Sequence, residues 1–349
     1  MPKLLHACVI GLVICRACAA AAADQLSWPS TLPVYDHIVI VVEENKDYEQ
    51  ILGGHDAPYL QKLAAEGASF ERMFGEEHFS EGNYFWLFSG SNQNVGFFDR
   101  VPSAANHPDY PFQASNLGAQ LIKKGLLFKG YAESLPAIGS QVVFDPANCR
   151  GVECVYGRKH VPWISFANVP NGTTVETSSN LRFADFPSDY SKLPTVAFVI
   201  PNLDHDMHNG QLPQSVAAGD AWLRDNLDGY YQWAKTHNSL LIVTFDENDD
   251  KASYFGLTNP AARAISTYPA ANQHDQLMLD LRNRIVTIFA GAHIRPGSYS
   301  EGRGLTHVNI LRTIEAMYGL PKSGAQQPNA AGIGIADDTI VTDVFTPVR

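Results

Sequence analysis

The sequence predicts an α/β fold with a mainly parallel central sheet that is flanked by helices. Two apolar runs without polar alternation, residues 38–42 and 240–245, have the composition of strands buried on both faces. Both runs lead directly into carboxylates, Glu43 and Glu44 after the first and Asp246 and Glu247 after the second. Segments of helical periodicity separate these and further strands, which is the order expected of a parallel sheet covered by helices.

The predicted elements follow one another after a proline-punctuated lead-in at 24–35. Residues 59–66 have the apolar spacing of a short helix that Gly67 ends. Ser80 precedes an acid and a hydrophobic run, so it can cap the helix that follows, which is the ordinary interpretation of such a serine. The remaining predictions are a helix at 112–125, a strand at 126–131, an irregular region at 140–183, a strand at 194–202, a helix at 215–233, the strand at 240–245, a loop-rich excursion at 249–273, a strand at 284–290 and a helix at 306–318 that Gly319 ends.

Length, composition and charge limit the class of protein. The chain has 349 residues, 45% of them apolar, which is ample for a large core. This length allows one large α/β domain or two smaller ones, and because no linker forces a division, residues 24–349 are interpreted as a single domain. The formal net charge of -11 argues against a protein that coats nucleic acid, so no nucleic-acid partner is expected.

The first 23 residues have the pattern of an export signal. Lys3 supplies a positive start, residues 4–13 are mostly apolar, and residues 19–23 are small, as signal peptidase requires. The protein is therefore expected to be secreted or periplasmic. No later segment is long and apolar enough for a transmembrane helix.

Two cysteines, Cys149 and Cys154, remain after the predicted signal. In an exported protein, two cysteines so close together most often form a local disulfide bond. A zinc site is the weaker alternative, because the chain lacks the CxxC spacing that such sites use.

Polar side chains gather at the ends of the predicted strands. Three of these strands lead into carboxylate, amide or imidazole side chains, namely Glu44, Asn45, Asp206, His208, Asp246 and Glu247. To these we add a serine at a predicted helix start and two histidines, one on a loop and one opening the last helix, namely Ser80, His160 and His307. Taken singly, each has an ordinary explanation, since a strand-end Glu-Asn usually opens a loop and a lone histidine is usually structural or exposed.

Together these side chains suit phosphoryl transfer. Carboxylate and amide oxygens are the ligands of hard divalent cations. A serine at a helix N-terminus lies where an anion is favoured, phosphate above all. A metal ion can lower the pKa of the serine hydroxyl, while histidines bind the phosphoryl group or protonate the leaving oxygen.

The segments that carry these residues resemble the phosphoesterase family of acid phosphatases and bacterial-type phospholipases C, which has an alkaline phosphatase-like fold. They occur in the family's order and span most of the chain after the predicted signal. The matching segments are Glu44-Asn45, His78-Phe79-Ser80-Glu81-Gly82-Asn83-Tyr84 with Ser89-Gly90, Lys159-His160-Val161-Pro162, Pro201-Asn202 to Asp206-Met207-His208-Asn209-Gly210, Gly219-Asp220-Ala221-Trp222-Leu223, Thr244-Phe245-Asp246-Glu247, and Thr306-His307 to Leu311-Arg312-Thr313-Ile314-Glu315.

The resemblance implies a role for each site residue. Ser80 corresponds to the nucleophile. The ligands of a divalent metal ion are expected to be Ser80 together with Glu44, Asn45, Asp246 and Glu247. The residues around the phosphate are expected to be the catalytic histidines His160 and His208, with support in substrate binding from Asn83, Asp206 and His307.

One departure from the family pattern concerns the neighbours of the serine. The family often has prolines there, whereas this chain has Phe79 before Ser80 and Glu81-Gly82 after it. Glu81 places a carboxyl group beside the predicted phosphate site, which is expected to tune or narrow the substrate range.

The sequence therefore predicts an exported, metal-dependent acid phosphatase that hydrolyses phosphomonoesters of a small phosphorylated substrate through a serine nucleophile. The alternative is a phospholipase C or phosphodiesterase acting at the same site, which a deeper and more apolar cleft would favour. A binding protein that has lost catalysis is disfavoured, because the serine and all four other proposed ligands are present. A Ser-His-Asp hydrolase is disfavoured because the chain has no Gly-x-Ser-x-Gly segment.

Overall fold

The structure is a computed structural model that describes residues 31–95, 99–249, 283–300 and 304–346. The predicted export signal lies outside these residues, as does the loop-rich excursion from residue 250 onward. The strands in the described part are β1 (His37–Glu43), β2 (Ala68–Phe70), β3 (Met73–Phe74), β4 (Phe128–Ala132), β5 (Phe144–Asp145), β6 (Tyr156–Gly157), β7 (Asn180–Arg182), β8 (Val196–Ile200), β9 (Ser239–Phe245), β10 (Thr287–Gly291), β11 (Gly297–Tyr299) and β12 (Leu305–Thr306).

An eight-stranded sheet with the order β11-β2-β10-β9-β1-β8-β4-β7 forms the centre of the described residues. From β9 through β1, β8 and β4 to β7, each strand is parallel to the next one in the sheet. Only β10 runs against its two neighbours, β9 and β2. The prediction of a mainly parallel α/β sheet is confirmed.

Five of the described α-helices lie between strands in chain order, and two follow the last strand. They are α1 (Tyr48–Leu52), α2 (Pro58–Glu66), α3 (Ser80–Ser89), α4 (Leu117–Lys123), α5 (Gln214–Ala234), α6 (His307–Tyr318) and α7 (Pro328–Gly332). Helices α2 and α5 pack on each other and on the sheet, while α3 packs on both α4 and α6. The apolar residues of β1 from Ile38 to Val41 are fully buried, as expected for a strand covered on both faces.

Local signals explain where the helices begin and end. In α6, Asn309 Oδ1 accepts the N–H of Thr306 at 2.9 Å, and Gly319 ends the helix with a φ of 58°. The predicted helix at 112–125 is wrong at its start, because Phe112 forms a bridge with Phe166 and α4 begins at Leu117. The Asn116 side chain caps α4 by accepting the N–H of Ala119 at 2.8 Å, which marks the true start.

The irregular region between β4 and β7 contains the predicted disulfide. Cys149 and Cys154 are bonded, with a Cα–Cα distance of 5.2 Å, and they close a loop between β5 and β6. Within the described ranges, no helix has both the length and the apolar character needed to cross a membrane.

Candidate active site

Two backbone hydrogen bonds join the ends of three neighbouring strands. The N–H of Glu44 donates to the carbonyl of Asp206 at 2.8 Å, and the N–H of Asp246 donates to the carbonyl of Glu43 at 3.0 Å. Because β8, β1 and β9 are adjacent and parallel, their carboxyl ends open at the same edge of the sheet. The structure thus brings together side chains that are far apart in the sequence.

Ser80 lies at the start of α3 and points its hydroxyl at two carboxylates. Its Oγ donates to Glu44 Oε2 at 3.0 Å and also lies 3.4 Å from Glu247 Oε1. The interpretation of Ser80 as a helix cap is wrong, because Ser80 is the first helical residue and Phe79 occupies the cap position. Phe79 has a φ of 82°, a conformation that side chains rarely adopt and that is typical of strained functional turns.

His160 forms the buried side of the site. Its Nε2 lies 2.8 Å from Glu44 Oε1 and its Nδ1 lies 3.4 Å from Asp206 Oδ2, and its side chain is 2% exposed. The Tyr84 ring stacks on the imidazole with centroids 4.8 Å apart and planes inclined by 9°. The Tyr84 hydroxyl donates to Glu44 Oε1 at 3.3 Å, so one carboxylate oxygen is held by both rings.

His208 forms the open side of the site. Its Nε2 lies 4.0 Å from Glu44 Oε2, the oxygen that Ser80 also contacts, and its side chain is 31% exposed. The backbone N–H of His208 donates to Asp206 Oδ1 at 2.9 Å. Asp206 therefore supports both histidines from beneath.

Glu247 contacts three further groups around Ser80. Asn45 Nδ2 donates to Glu247 Oε1 at 3.2 Å, and the backbone N–H of Phe79 donates to Glu247 Oε2 at 3.0 Å. His78 Nδ1 lies 2.8 Å from the same Oε2, and the His78 side chain is 43% exposed. Sequence reasoning missed His78, although its position two residues before Ser80 could have indicated it.

The carboxylates of the site are buried and perturb one another. Burial, and then the neighbouring Glu44 and Glu247 carboxylates, raise the pKa of Asp246 well above its ordinary value. Burial would also raise the pKa of Glu44, but His160, Lys159 and His208 outweigh it and hold that pKa well below the ordinary value. Burial lowers the pKa of His160, but the Glu44 carboxylate more than compensates and raises it to about 9.

The donor set fits a hard divalent cation in its chemistry. As the side chains stand, no group of three or more His, Cys, Asp or Glu residues within the described ranges is arranged to hold a metal ion. However, Asp246 Oδ2 is buried without a hydrogen-bond partner, and it stands in a site with Glu44 and Glu247, both likewise buried. A buried oxygen without a partner is the kind of group that a bound cation would satisfy, and oxygen donors are the ligands that hard cations take.

Two residues expected to bind substrate are turned into the protein. Asn83 Oδ1 accepts the N–H groups of Glu76 and Glu77 at 2.9 and 3.1 Å, which fixes the turn before Ser80. His307 Nδ1 lies 2.5 Å from Glu76 Oε2 and its Nε2 lies 2.7 Å from the carbonyl of Phe245. Because these polar atoms already form hydrogen bonds within the protein and both side chains are buried, the geometry favours a supporting role over substrate contact.

Asp206 was also expected to bind substrate, and it is fully buried beneath His160 and His208. Its oxygens face those two residues, so it orients the histidines. The structure brings Glu44, Ser80, His160, His208 and Glu247 into direct proximity, with Asn45 and Asp246 beside them.

The carboxyl group of Glu81 is buried, and within the described residues its Oε2 has no hydrogen-bond partner. Asp99 Oδ1 accepts the backbone N–H of Glu81 at 3.0 Å, and Asp99 Oδ2 accepts from Lys159 Nζ at 3.0 Å. Burial raises the pKa of Glu81 to about 8, and the Asp99 carboxylate acts in the same direction. The expected negative charge beside Ser80 is therefore weakened, and Lys159 adds a positive charge that sequence reasoning did not assign.

Comparisons with known proteins identify the family of the chain. The family model of the phosphoesterase family matches residues 54–321. The chain is 42% identical over 297 residues to the phosphatidylinositol-3-phosphatase of Mycobacterium tuberculosis, which covers 84% of this chain and 81% of that protein. It is 27% identical over 321 residues to a probable acid phosphatase of Kluyveromyces lactis, covering 89% of this chain but only 65% of that protein.

A solved structure shares the fold. It is a protein of the alkaline phosphatase superfamily from Vibrio parahaemolyticus, with a TM-score of 0.52 and 12% identity, covering 89% of this chain and 72% of that one. At this identity the likeness concerns the fold alone. From the family match and the phosphatase relatives, the chain belongs to the phosphoesterase family and is a phosphoric ester hydrolase with an alkaline phosphatase-like α/β fold.

Proposed function

We propose that this protein is an exported, metal-dependent acid phosphatase that hydrolyses phosphomonoesters with Ser80 as the nucleophile. The observation that carries the proposal is the setting of the Ser80 hydroxyl, which opens a helix and contacts Glu44 at 3.0 Å and Glu247 at 3.4 Å. A hydroxyl between carboxylates is an activated nucleophile when those carboxylates also hold a metal ion.

Several positive groups around Ser80 suit a phosphoryl group. The N-terminal end of α3 carries the partial positive charge of the helix dipole. His160, with a pKa raised to about 9, is an imidazolium at neutral pH, and Lys159 lies beside it in the chain. These groups would attract the phosphate and spread the charge that develops on its oxygens in the transition state.

The reaction proposed for these residues has two steps. In the first, Ser80 Oγ attacks phosphorus, the bond from phosphorus to the ester oxygen breaks, and the leaving oxygen gains the proton that Ser80 loses. His208 is placed to carry that proton, because its Nε2 faces the same Glu44 oxygen as Ser80 and its side chain reaches solvent. In the second step, water attacks the phosphoserine, inorganic phosphate leaves, and Ser80 recovers its proton.

The metal ion of the proposal would be held by Glu44, Asn45, Asp246, Glu247 and Ser80. When bound, it would neutralise these carboxylates, lower the pKa of the Ser80 hydroxyl and polarise a phosphate oxygen. The raised pKa of Asp246 and its unpartnered Oδ2 support this assignment, because both are relieved by a cation.

The substrate class is proposed from the phosphatase relatives. A phosphoinositide with a 3-phosphate is a candidate, because the Mycobacterium tuberculosis relative bears the name of a phosphatase for that group. The alternative remains a phosphodiester or phosphocholine ester cleaved at the same site. Phe79, which precedes Ser80 and is exposed, is the feature that would suit an apolar substrate portion.

Export and a single domain over 24–349 complete the proposal. The apolar leader of the sequence and the Cys149–Cys154 disulfide both fit an oxidising compartment outside the cytosol.

One assay series tests the reaction class and the metal together. Purified protein is given a phosphomonoester, a phosphodiester and a phosphocholine ester, each with and without a chelator, and vesicles carrying phosphatidylinositol 3-phosphate as a lipid monoester. We expect hydrolysis of the monoesters, little of the diesters, and loss of activity with chelator that added divalent metal restores. Preferred cleavage of the diester would favour the alternative, and full activity of a demonstrably metal-free sample would contradict the metal assignment.

A further inference from the structure

The amide of Asn209 has only one orientation that its neighbours allow. Three acceptors surround one end of the amide, namely the carbonyl of Cys154 at 2.9 Å, Asp204 Oδ1 at 2.8 Å and the carbonyl of Val152 at 3.4 Å. An acceptor cannot occupy that place, so the amino group lies there. Asn209 as a residue is 5% exposed, so water does not readily substitute for these partners.

The opposite end of the same amide fixes His208. Because Nδ2 is turned away, Asn209 Oδ1 faces His208 Nδ1 at 3.0 Å. A carbonyl oxygen accepts, so the proton lies on Nδ1 and the neutral ring leaves Nε2 as its proton-accepting nitrogen. That Nε2 is the atom 4.0 Å from the Glu44 oxygen that Ser80 contacts.

The acceptors that hold Asn209 come mainly from the disulfide-closed loop. Val152 and Cys154 lie in or beside the loop that the Cys149–Cys154 bond closes between β5 and β6. A second link, from the N–H of Leu203 to the carbonyl of Val155 at 2.9 Å, joins this loop to the segment that carries His208. The loop therefore acts as a fixed support for Asn209 and, through Asn209, for the partly exposed His208.

We propose that Asn209, anchored by the disulfide-closed loop, is a positioning residue that keeps the proton of His208 on Nδ1 and presents Nε2 to the reacting groups. The inference rests on the proposed function, because it assigns Asn209 an effect that runs only through His208. Loss of such an orienting partner typically costs about 10- to 100-fold in activity, and that is the range expected for kcat here.

A double-mutant cycle tests this coupling on the full-length protein. The variants are Asn209→Ala, His208→Ala and the double variant, with kcat measured on one phosphomonoester. We expect Asn209→Ala to lower kcat by about 10- to 100-fold in the wild-type background, and by less than about twofold when His208 is already alanine. Effects that multiply in the double variant would overturn the inference while leaving the proposed function intact.

The same cycle separates failure of the inference from failure of the proposed function. If His208→Ala itself keeps wild-type kcat, the role of His208 in the proposed reaction is overturned, and the inference with it. If His208→Ala is slow but Asn209→Ala is not, only the inference is overturned. The matched control is Asn171→Ala, because Asn171 also donates its amide to a loop carbonyl, that of Gly139 at 3.1 Å, and is expected to keep kcat.

Two further measurements keep the test decisive if the alanine variant does not fold. Asn209→Asp retains an acceptor for His208 but places an oxygen against Cys154 and Asp204, so kcat is expected to fall as well, and an unchanged kcat would overturn the anchoring. Ring nitrogen correlation spectra of histidine-labelled protein report the tautomer directly. The Nδ1–H form is expected for His208, and an Nε2–H form would overturn the inference.

Discussion

The two histidines beside Glu44 lie in opposite surroundings. His160 is buried between Glu44 and Asp206 and covered by the Tyr84 ring, with its side chain 2% exposed. His208 contacts the other oxygen of Glu44 from the rim, and its side chain is 31% exposed. A buried imidazolium paired with carboxylates holds a fixed charge, whereas an imidazole that reaches solvent can exchange protons with a leaving group.

Under the proposed mechanism, the difference gives one residue type two functions in one site. On the buried side, His160 balances the charge of Glu44 before substrate arrives, which would give a rigid phosphate pocket. On the open side, the ring is oriented by neighbours but remains accessible. Ser80 lies between the two sides. Loss of Ser80, of His160 or of His208 should therefore change activity and stability in a different way.

The largest effect is expected from Ser80→Ala, which removes the hydroxyl proposed as the nucleophile. Activity should fall on the order of 10³-fold or more, because the covalent route is lost. Binding of metal and inorganic phosphate should persist, since the carboxylates and both histidines remain. Steady-state kinetics measure the activity, and titration calorimetry measures the binding of inorganic phosphate. Loss of both activity and phosphate binding would indicate misfolding instead.

The next largest effect is expected from Asp246→Ala. Removing a buried carboxylate that has an unpartnered oxygen should weaken metal binding and lower activity by roughly 10²-fold or more, because a catalytic metal contributes several kcal/mol. The protein should remain folded by circular dichroism. Bound metal is counted by elemental analysis, and wild-type metal content in an inactive variant would contradict the ligand assignment.

The variants His160→Ala and His208→Ala test the contrast between the buried and the partly exposed histidine. His160→Ala should reduce the free energy of unfolding by about 3 kcal/mol, because it leaves the buried Glu44 carboxylate without its nearest cation. His208→Ala should leave stability nearly unchanged and slow esters with poor leaving groups by about 10²-fold.

Good leaving groups need less protonation, so the His208→Ala defect should shrink with them. Equal slowing of good and poor leaving groups would instead make His208 a phosphate-binding residue. Denaturant unfolding and a series of substituted phenyl phosphates give the two readouts, and a stability loss in both variants would remove the proposed contrast.

The smallest effect is expected from the disulfide. Replacing Cys149 and Cys154 with serine opens a short loop, so the free energy of unfolding should fall by ~2 kcal/mol. Denaturant unfolding measures the loss, and mass spectrometry of the exported protein should find no free thiol at either position. Two free thiols would contradict the predicted bond.

The sequence was informative where a pattern is local. The apolar runs predict β1 and β9, and because parallel strands open at one edge, the convergence of Glu44 and Asp246 could be inferred without coordinates. The cap at Asn116 and the antiparallel direction of β10 could not be inferred with equal ease. The first is one weak local signal among several, and the second depends on pairing between distant segments.

Side-chain direction explains the remaining differences between the site predicted from the sequence and the site in the structure. Asn83 and His307 lie in matching segments, but each uses its polar atoms within the protein, and no sequence pattern tells an inward from an outward side chain. His78 and Tyr84 reach carboxylates of the site only because α3 begins at Ser80, after a residue of positive φ. Such a backbone turn is not visible in residue types alone.

The central claim is that Ser80 carries the phosphoryl group during turnover. The most direct measurement is acid quench of the wild-type protein mixed with a labelled phosphomonoester, followed by peptide mapping. We predict label on the peptide that contains Ser80, and none in the Ser80→Ala protein. Label-free wild-type protein during rapid turnover, together with near-normal activity of Ser80→Ala, would contradict the claim.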